Sequence, residues 1–386
     1  MTWVTRKNKG DFRVSMTISD QNQTEQMAVA VGQSHSLFLD LQGYVWGCGK
    51  NSDGQLGCKD VTSTTSVVRL PNQNIKMIAS GGQHSLFLDV DGNVFVTGKN
   101  HNGQVGLPVG NNLMTAEKLE ELPEIVSVAC GHAHTLLLDN SGQVWTFGRN
   151  SHGQLGRRRD ISEEKIQVVQ GLPKIEKIYG GFNHSVVLDT NNKVWGFGYN
   201  GHARIGAADT GSLREAVAVE GLPPIKSIAT GWIHSLYLDF DGRVWGCGGN
   251  ESCQLLDKSV YNLALIDSLP NIKEIYAGYY TSMFVDETDR VFVCGSNDKG
   301  LLGVGHSEKV VGLVEVERPK IAFQAFSDLH SAFMDDLGNA WTVGSNEHGQ
   351  LGTGDLTTRC IPEQVSGLPP LKMKQRGYGV KSARKI

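Results

Sequence analysis

The sequence lacks the short motifs that usually mark enzymes and metal sites. It contains no HExxH, no GxxxxGK[ST] and no nucleophile elbow, which argues against a zinc hydrolase, a phosphate-binding loop and a serine hydrolase. Its seven cysteines include no CxxC pair, so a zinc ribbon has no ligand set. These absences predict a protein that is not an enzyme and that needs neither a metal nor a cofactor.

Targeting signals are also missing. No apolar run is long enough to cross a bilayer, and the N-terminus, MTWVTRKNKGDF, has no apolar core of the kind found in signal peptides. An odd number of cysteines without evident pairing favours a reducing compartment. We therefore expect no membrane association and a cytoplasmic location, with the nucleus as the alternative.

Charge is distributed unevenly along the 386 residues. The net charge is −4, yet residues 1–13 carry +3 and residues 372–386 carry +6, which leaves −13 for the body. An acidic body is unlike a surface that wraps nucleic acid. Solvated termini are the simplest interpretation of the basic tails, and a nucleic-acid contact by those tails is the alternative.

One phrase is repeated seven times. Its clearest copy is GHAHTLLLDNSGQVWTFGRNSHGQLG, residues 131–156. The copies align on one position, with steps of 47 to 50 residues. The aligned residues are His35, His84, His134, His184, His234, Thr281 and His330. A fixed period of this length indicates a repeat architecture.

Each repeat reads as four short strands. In residues 225–248, apolar and polar residues alternate in short runs separated by turn residues. Asp239 and Gly242 bracket a hairpin turn, and the Gly is replaced elsewhere only by Asn192 and Asp289, which tolerate a positive φ. Seven such units predict an all-β, seven-bladed β-propeller. We assign residues 1–26 to an N-terminal segment with a candidate closing strand, 27–371 to the propeller and 372–386 to a basic tail. We expect the ring to close through the chain ends, with residues 12–17 and 361–365 as the candidate closing segments.

The aligned histidines look catalytic at first sight, since each precedes an Asp by five residues. Six copies spread around a ring cannot serve one site, so we interpret them as buried structural residues bonded to the backbone. A second set sits in the NxxG loops, and these residues are on different blades, so they cannot converge on one metal. They are His101, His152, His202 and His348.

The elements GxxH[ST]LxLD, GxVWxxG and NxxGQLG, from Ala28 to Gly352, resemble the repeats of the regulator of chromosome condensation family. The resemblance implies a seven-bladed propeller independently of the strand pattern. It also suggests functions: nucleotide exchange on the small GTPase Ran, ultraviolet sensing, or binding of a protein partner.

The two residues between the Gly and the His of GxxH vary from copy to copy. Because strand direction alternates, these GxxH corners and the NxxG loops should share one face. Consecutive repeats place Phe182, Trp232, Tyr279 and Tyr280 in corners of adjacent blades. We predict that they form a partner-binding patch, flanked by Arg157, Arg158 and Arg159. The competing interpretation is that the rings fold inward and plug the channel mouth.

The corners also discriminate between the family's functions. Asp328 is the only acidic corner residue, and no wedge-sized insertion interrupts the repeats, whereas the exchange factor of this family uses both features. Only Trp232 matches the tryptophan-rich corners of the light sensor. We therefore predict a non-catalytic interaction propeller that binds a protein partner, with Asp328 in the binding surface. Guanine-nucleotide exchange on a Ran-like small GTPase is the alternative.

Overall fold

The chain folds into a ring of seven four-stranded antiparallel sheets, which confirms the predicted seven-bladed β-propeller. The computed structural model describes residues 28–157, 165–208, 211–256 and 262–372. In every blade the four strands are consecutive in the chain. The candidate closing segment at residues 12–17 lies outside the described residues.

The strand bounds follow the sequence repeat. Blade one is formed by β1 (Val29–Val31), β2 (His35–Leu39), β3 (Val45–Lys50) and β4 (Ser63–Arg69). Blade two is formed by β5 (Ile75–Ser80), β6 (His84–Asp89), β7 (Val94–Gly98) and β8 (Leu113–Lys118). Blade three is formed by β9 (Ile125–Cys130), β10 (His134–Asp139), β11 (Val144–Gly148) and β12 (Gln167–Val168). Blade four is formed by β13 (Ile175–Gly180), β14 (His184–Asp189), β15 (Val194–Tyr199) and β16 (Ser212–Ala218).

The remaining blades follow the same plan. Blade five is formed by β17 (Ile225–Thr230), β18 (His234–Asp239), β19 (Val244–Gly248) and β20 (Ala264–Leu265). Blade six is formed by β21 (Ile272–Ala277), β22 (Thr281–Asp286), β23 (Val291–Gly295) and β24 (Val310–Val316). Blade seven is formed by β25 (Ile321–Phe326), β26 (His330–Asp335), β27 (Ala340–Gly344) and β28 (Arg359–Gln364). Single 3-10 turns occur at Gly201–Ala203 and Asp298–Gly300.

The hydrophobic core lies between neighbouring blades. The second strand of a blade is buried along its whole length, because both of its faces meet other blades; β10 is an example. One core cluster joins Leu86 and Val96 of blade two to Leu137 and Phe147 of blade three. The fourth strand lies at the rim and is largely exposed or half-buried.

The DxxG turn is held by its aspartate. In blade three, Asp139 Oδ1 accepts hydrogen bonds from the backbone N–H groups of Ser141 and Gln143, both at 2.9 Å. Its Oδ2 accepts one from Trp145 Nε1 at 2.8 Å. The turn ends at a positive φ, and Asn192 (61°) and Asp289 (69°) adopt it where Gly is missing. The turn prediction is confirmed.

The aligned histidines bridge neighbouring blades, which corrects the expected backbone partner. Each His Nε2 contacts the Ser or Thr hydroxyl that follows the aligned position of the next blade. The pairs are His35–Ser85 (2.9 Å), His84–Thr135 (3.1 Å), His134–Ser185 (2.9 Å), His184–Ser235 (3.2 Å), His234–Ser282 (3.0 Å) and His330–Ser36 (2.9 Å).

The hydroxyl in the bridge decides which imidazole nitrogen carries the proton. Ser185 Oγ donates to the Gln154 carbonyl at 2.9 Å, so its own hydrogen is already committed. His134 Nε2 must then be the donor to Ser185, which fixes the neutral Nε2–H tautomer. Burial lowers the pKa of His134 to about 3, in keeping with a neutral ring.

The glycine of GxxH is required by this histidine. A Cβ on Gly131 would lie 1.9 Å from Cε1 of His134 and 2.6 Å from the Gly181 carbonyl oxygen. The His134 imidazole and the neighbouring blade therefore leave no room for a side chain at position 131. In blade seven Ser327 takes this position, and its Oγ lies 2.8 Å from His330 Nδ1.

The ring of bridges is interrupted between blades six and seven. Thr281 is buried, and its Oγ1 has no hydrogen-bond partner among the described residues. A threonine side chain is too short to span the distance that imidazole covers in the other blades. The histidine bridge is therefore present at six of the seven blade junctions.

The ring closes through a composite inner strand. Leu371, near the C-terminal end, pairs with Asp40 of blade one, as Ile75 pairs with Asp89 in blade two. The Lys372 N–H donates to the Leu39 carbonyl at 2.9 Å, and β1 continues the same edge. The candidate closing segment at residues 361–365 instead falls mainly in β28, the outer strand of blade seven.

Closure by Leu371 predicts a large stability loss on truncation. Leu371 is fully buried in the core between blades one and seven, so Leu371→Ala should cost about 2–5 kcal/mol of unfolding free energy. Leu337→Ala is the matched control, since Leu337 is 75% exposed. Urea unfolding followed by tryptophan fluorescence measures both. Equal stability of the two variants would show that Leu371 does not close the ring.

The buried histidines predict that acid destabilises the fold. Burial lowers the pKa of His35, His84, His134, His234 and His330 to about 3, and that of His184 well below 6.5. The unfolded chain gains protons below pH 6.5 that the folded chain does not bind. Stability is therefore full above pH 6.5 and should fall by about 1.4 kcal/mol per pH unit for each histidine toward pH 3.

The variant His134→Ala measures the contribution of a single buried histidine to stability. At pH 7 it should cost roughly 1–3 kcal/mol, because it removes one buried hydrogen bond, and it should make the pH dependence shallower by one proton. His101→Ala, at an exposed position, should change neither quantity. If His134→Ala leaves the unfolding midpoint unchanged but abolishes partner binding, His134 serves binding and is not a structural residue.

Candidate functional site

The GxxH corners and the NxxG loops lie on one face, as predicted. The N–H that opens each loop donates to a corner carbonyl: Arg149 to Ala133 and Tyr199 to Asn183, both at 2.8 Å. We call this side the loop face. The corners ring its centre, and the NxxG loops lie outside them.

The predicted aromatic residues of blades four to six are in mutual contact. Ring centroids are 4.6 Å apart for Phe182 and Trp232, 5.4 Å for Trp232 and Tyr279, and 4.9 Å for Trp232 and Tyr280. Phe182 also meets Tyr279 edge-on at 5.4 Å. Such offset and edge arrangements are favourable beyond the area they bury. We call these four rings the aromatic stack.

The aromatic stack occupies the channel mouth, and its rings are half-buried. Phe182 and Tyr279 line a cavity of about 90 Å³ at the centre of the ring, together with the corner glycines. Burial, with Asp328 nearby, raises the pKa of Tyr279. The predicted contact among the rings is therefore confirmed, whereas their role in partner binding stays a prediction. The rings narrow the channel, and they still present partly accessible surface on the loop face.

Asp328 sits in the corner of blade seven, beside the aromatic stack. It is half-buried, and Gln33 Nε2 lies 3.5 Å from its Oδ2. Burial raises the pKa of this carboxyl. A partly buried carboxylate at the channel mouth can accept a hydrogen bond from a partner, but it is also a contact between blades one and seven.

Arg157, one of the three arginines predicted to flank the aromatic stack, is buried. Arg157 is 8% exposed, and its Nη2 donates to the Lys165 carbonyl at 2.8 Å. Its buried guanidinium thus holds its own loop, which counts against Arg157 as a partner contact. Arg158 and Arg159 lie outside the described residues.

His132 extends the aromatic stack to blade three. Its ring lies 4.2 Å from that of Phe182. Burial, followed by the charges of Arg149 and Lys99, lowers the pKa of His132 to about 4, so the imidazole is neutral. The sequence contains a signal for this residue, because His132 occupies the same corner position as Phe182 and Trp232.

Arg204 connects the aromatic stack to the outer loops. It replaces the Gln of NxxGQLG in blade four, so the signal for it was a departure from the repeat. Its Nη1 donates to the Trp232 carbonyl at 2.8 Å, and its Cζ lies 4.5 Å from the ring centroid of Tyr199. Burial lowers its pKa to about 10, and the guanidinium remains charged at neutral pH.

The described residues contain neither a cluster of metal-ligating side chains nor a membrane-spanning helix. Within them, no three His, Cys, Asp or Glu side chains come close enough together to hold a metal ion. No helix in the described ranges has the length and apolar character needed to span a membrane.

Comparison with known proteins decides the family. The family model described as RCC1-like domain matches residues 6–264. Models of the RCC1 (regulator of chromosome condensation) repeat match residues 272–301 and 338–381. The chain belongs to the RCC1-like family. No protein of curated function matches its sequence.

Solved RCC1-like structures share the fold at low sequence identity. Human WBSCR16 is 20% identical, with a TM-score of 0.75, over 84% of this chain and 93% of that one. Yeast RCC1 (Prp20), solved with Kap60, is 21% identical with a TM-score of 0.75 over 94% and 91%. Prp20p from Saccharomyces cerevisiae, reported with its binding properties to Gsp1p and histones, is 22% identical with a TM-score of 0.69 over 78% and 80%.

Proposed function

We propose that this RCC1-like propeller is a non-catalytic interaction protein that binds a protein partner through the loop face. The observation that carries the proposal is the aromatic stack. Four large rings from three adjacent blades are gathered at one point. Repeat architecture does not require them, because the first two blades place Gln33, Ser34, Gly82 and Gln83 in the same corners.

Physical chemistry favours a protein as the occupant. Tyr and Trp are enriched in binding hot spots, where partly exposed rings become fully desolvated on association. The central cavity, at about 90 Å³, is too small for most organic ligands. Prp20p, which shares this fold, is reported with its binding properties to Gsp1p and histones, and this is consistent with such a use.

Binding through the aromatic stack predicts a hot spot at Trp232 and Tyr279. The double variant Trp232→Ala, Tyr279→Ala should weaken partner binding by at least about 2 kcal/mol, roughly 30-fold, because these rings lie at the centre of the contact. The measurement is recovery of the partner from cell extract on immobilised protein, followed by titration of the purified partner. Circular dichroism confirms that the variant is folded.

The control removes equivalent apolar surface from the opposite face. Phe240 and Leu337 are 61% and 75% exposed and lie in DxxG turns, so Phe240→Ala with Leu337→Ala should leave the affinity unchanged. If the folded stack variant binds its partner as tightly as the unmodified chain, the aromatic stack is not the binding site.

Guanine-nucleotide exchange on a Ran-like GTPase is the second candidate function. The observations that favour it are the structural likeness to Prp20p and the carboxylate of Asp328 at the channel mouth. Release of a fluorescent GDP analogue from a purified Ran-type GTPase tests it. A binding propeller leaves the release rate unchanged, whereas acceleration that Asp328→Asn abolishes would establish exchange.

A further inference from the structure

The loop face carries a group of arginines beside the aromatic stack. Arg149 Nε donates to Ser151 Oγ at 2.9 Å, and Arg214 Nη2 lies 3.3 Å from the Ser151 carbonyl oxygen. The next residue, His152, packs on Tyr199 with centroids 4.7 Å apart, and Arg204 also lies over Tyr199. We call Arg149, Arg204 and Arg214 the arginine cluster.

The arginine cluster makes no ion pair in the described part of the chain, although the charge of Glu251 acts on Arg204. None of its three guanidinium groups lies within 4.0 Å of a carboxylate oxygen there; their hydrogen bonds go to carbonyl and hydroxyl oxygens. Nη1 of Arg214 is buried and makes no hydrogen bond to a described residue. The pKa of His152 is lowered, first by burial and then by the positive charges of Arg149, Arg204 and Arg214.

Three arginines elsewhere in the described chain are paired with a carboxylate. Arg243, Arg290 and Arg359 each contact an Asp four residues away in sequence, within 3.0 Å. The arginine cluster makes no such ion pair, although the body of the chain is acidic. Guanidinium groups form their strongest contacts with carboxylates and phosphates, so the cluster is complementary to an anionic ligand.

Charges on the loop face are separated into two sectors. Blades two to four contribute Lys99 and the arginine cluster, whereas the NxxG loops of blades five to seven contribute Glu251, Asp298 and Glu347, of which Glu347 is paired with Lys299. A ligand that is negative throughout would meet repulsion over blades five to seven. The occupant should therefore be a short acidic segment lying over blades three and four, continuous with a protein body that reaches the aromatic stack.

We propose that the arginine cluster binds an acidic peptide segment of the protein partner, in which several carboxylates are spaced along an extended chain. The inference rests on the proposed function and names the chemistry of the partner. A spaced series is favoured over one phosphate because the guanidinium groups do not converge on one point. Arg149 and Arg214 meet at Ser151, while Arg204 is held on Tyr199 and on the Trp232 carbonyl.

The test uses a fluorescein-labelled decapeptide of alternating Glu and Ser, titrated with the full-length chain and followed by fluorescence anisotropy. We expect saturable binding that weakens steeply between 50 and 200 mM salt, since the contacts are ionic. Arg149→Gln with Arg214→Gln should weaken it at least tenfold. The matched control Arg243→Gln with Arg290→Gln removes the same charge from the opposite face and should stay within twofold.

Three probes identify the ligand class. A Lys–Ser decapeptide should not bind, and a phosphoserine decapeptide and a ten-nucleotide single-stranded DNA should both bind more weakly than the Glu–Ser peptide. No binding of the Glu–Ser peptide at millimolar concentration, or equal binding by both arginine variants, would overturn the proposal. Tighter binding of the phosphopeptide or of the DNA would overturn its assignment to carboxylates.

Failure of the acidic-segment proposal can be distinguished from failure of the proposed interaction function. If the Glu–Ser peptide does not bind while partner recovery still depends on Trp232 and Tyr279, the acidic-segment proposal fails and the interaction function stands. If the peptide binds through Arg149 and Arg214 while the stack variant keeps its partner, the acidic site stands and the aromatic stack is not the main contact.

Discussion

The histidine-to-hydroxyl hydrogen bond between neighbouring blades is the interaction on which the rest of the structure depends. It is made by a neutral imidazole, buried at the top of the second strand, and it links neighbouring blades at six of the seven junctions. The histidine is also the last residue of the GxxH corner, so it fixes the end of the segment that carries the variable side chains. A stable ring and a fixed set of corner positions are therefore produced by the same bond.

This arrangement separates residues that build the repeat from residues available for function. Substitution of a repeated residue alters the structure of that blade. Thr281, in place of the aligned His, leaves one blade junction without its bridge. Ser327, in place of the GxxH glycine, supplies a hydroxyl to His330. In the corners, the backbone is fixed while the side chains are free to vary. The aromatic stack occupies those free positions, and Arg204 arises where one loop departs from its consensus.

Much of this structure was predictable from the sequence because the repeat supplies seven versions of the same local evidence. The seven blades, the DxxG turn and the common location of Phe182, Trp232 and Tyr279 all follow from alternation and from chain direction. The partner of each histidine did not follow, because the accepting hydroxyl lies about 50 residues away, on the next blade. The composite closing strand was missed because Leu371 and Asp40 come from opposite ends of the chain.

The local sequence pattern also did not predict how deeply individual side chains are buried. Arg157 follows a Gly-rich loop, which favours an exposed side chain, yet its guanidinium is turned onto the Lys165 carbonyl. The corner aromatics were expected either to bind or to plug the channel. Their half-buried state reflects competition between ring stacking and solvent exposure, which depends on distances between blades that a sequence does not contain.

The loop face, centred on the aromatic stack, is the proposed binding surface for a partner. Hydrogen–deuterium exchange of the full-length chain, alone and saturated with the partner recovered from extract, measures this most directly. We predict that added protection is concentrated in the corners of blades three to six, at residues 131–133, 181–183, 231–233 and 278–280. Protection confined to the DxxG turns of the opposite face would contradict the account.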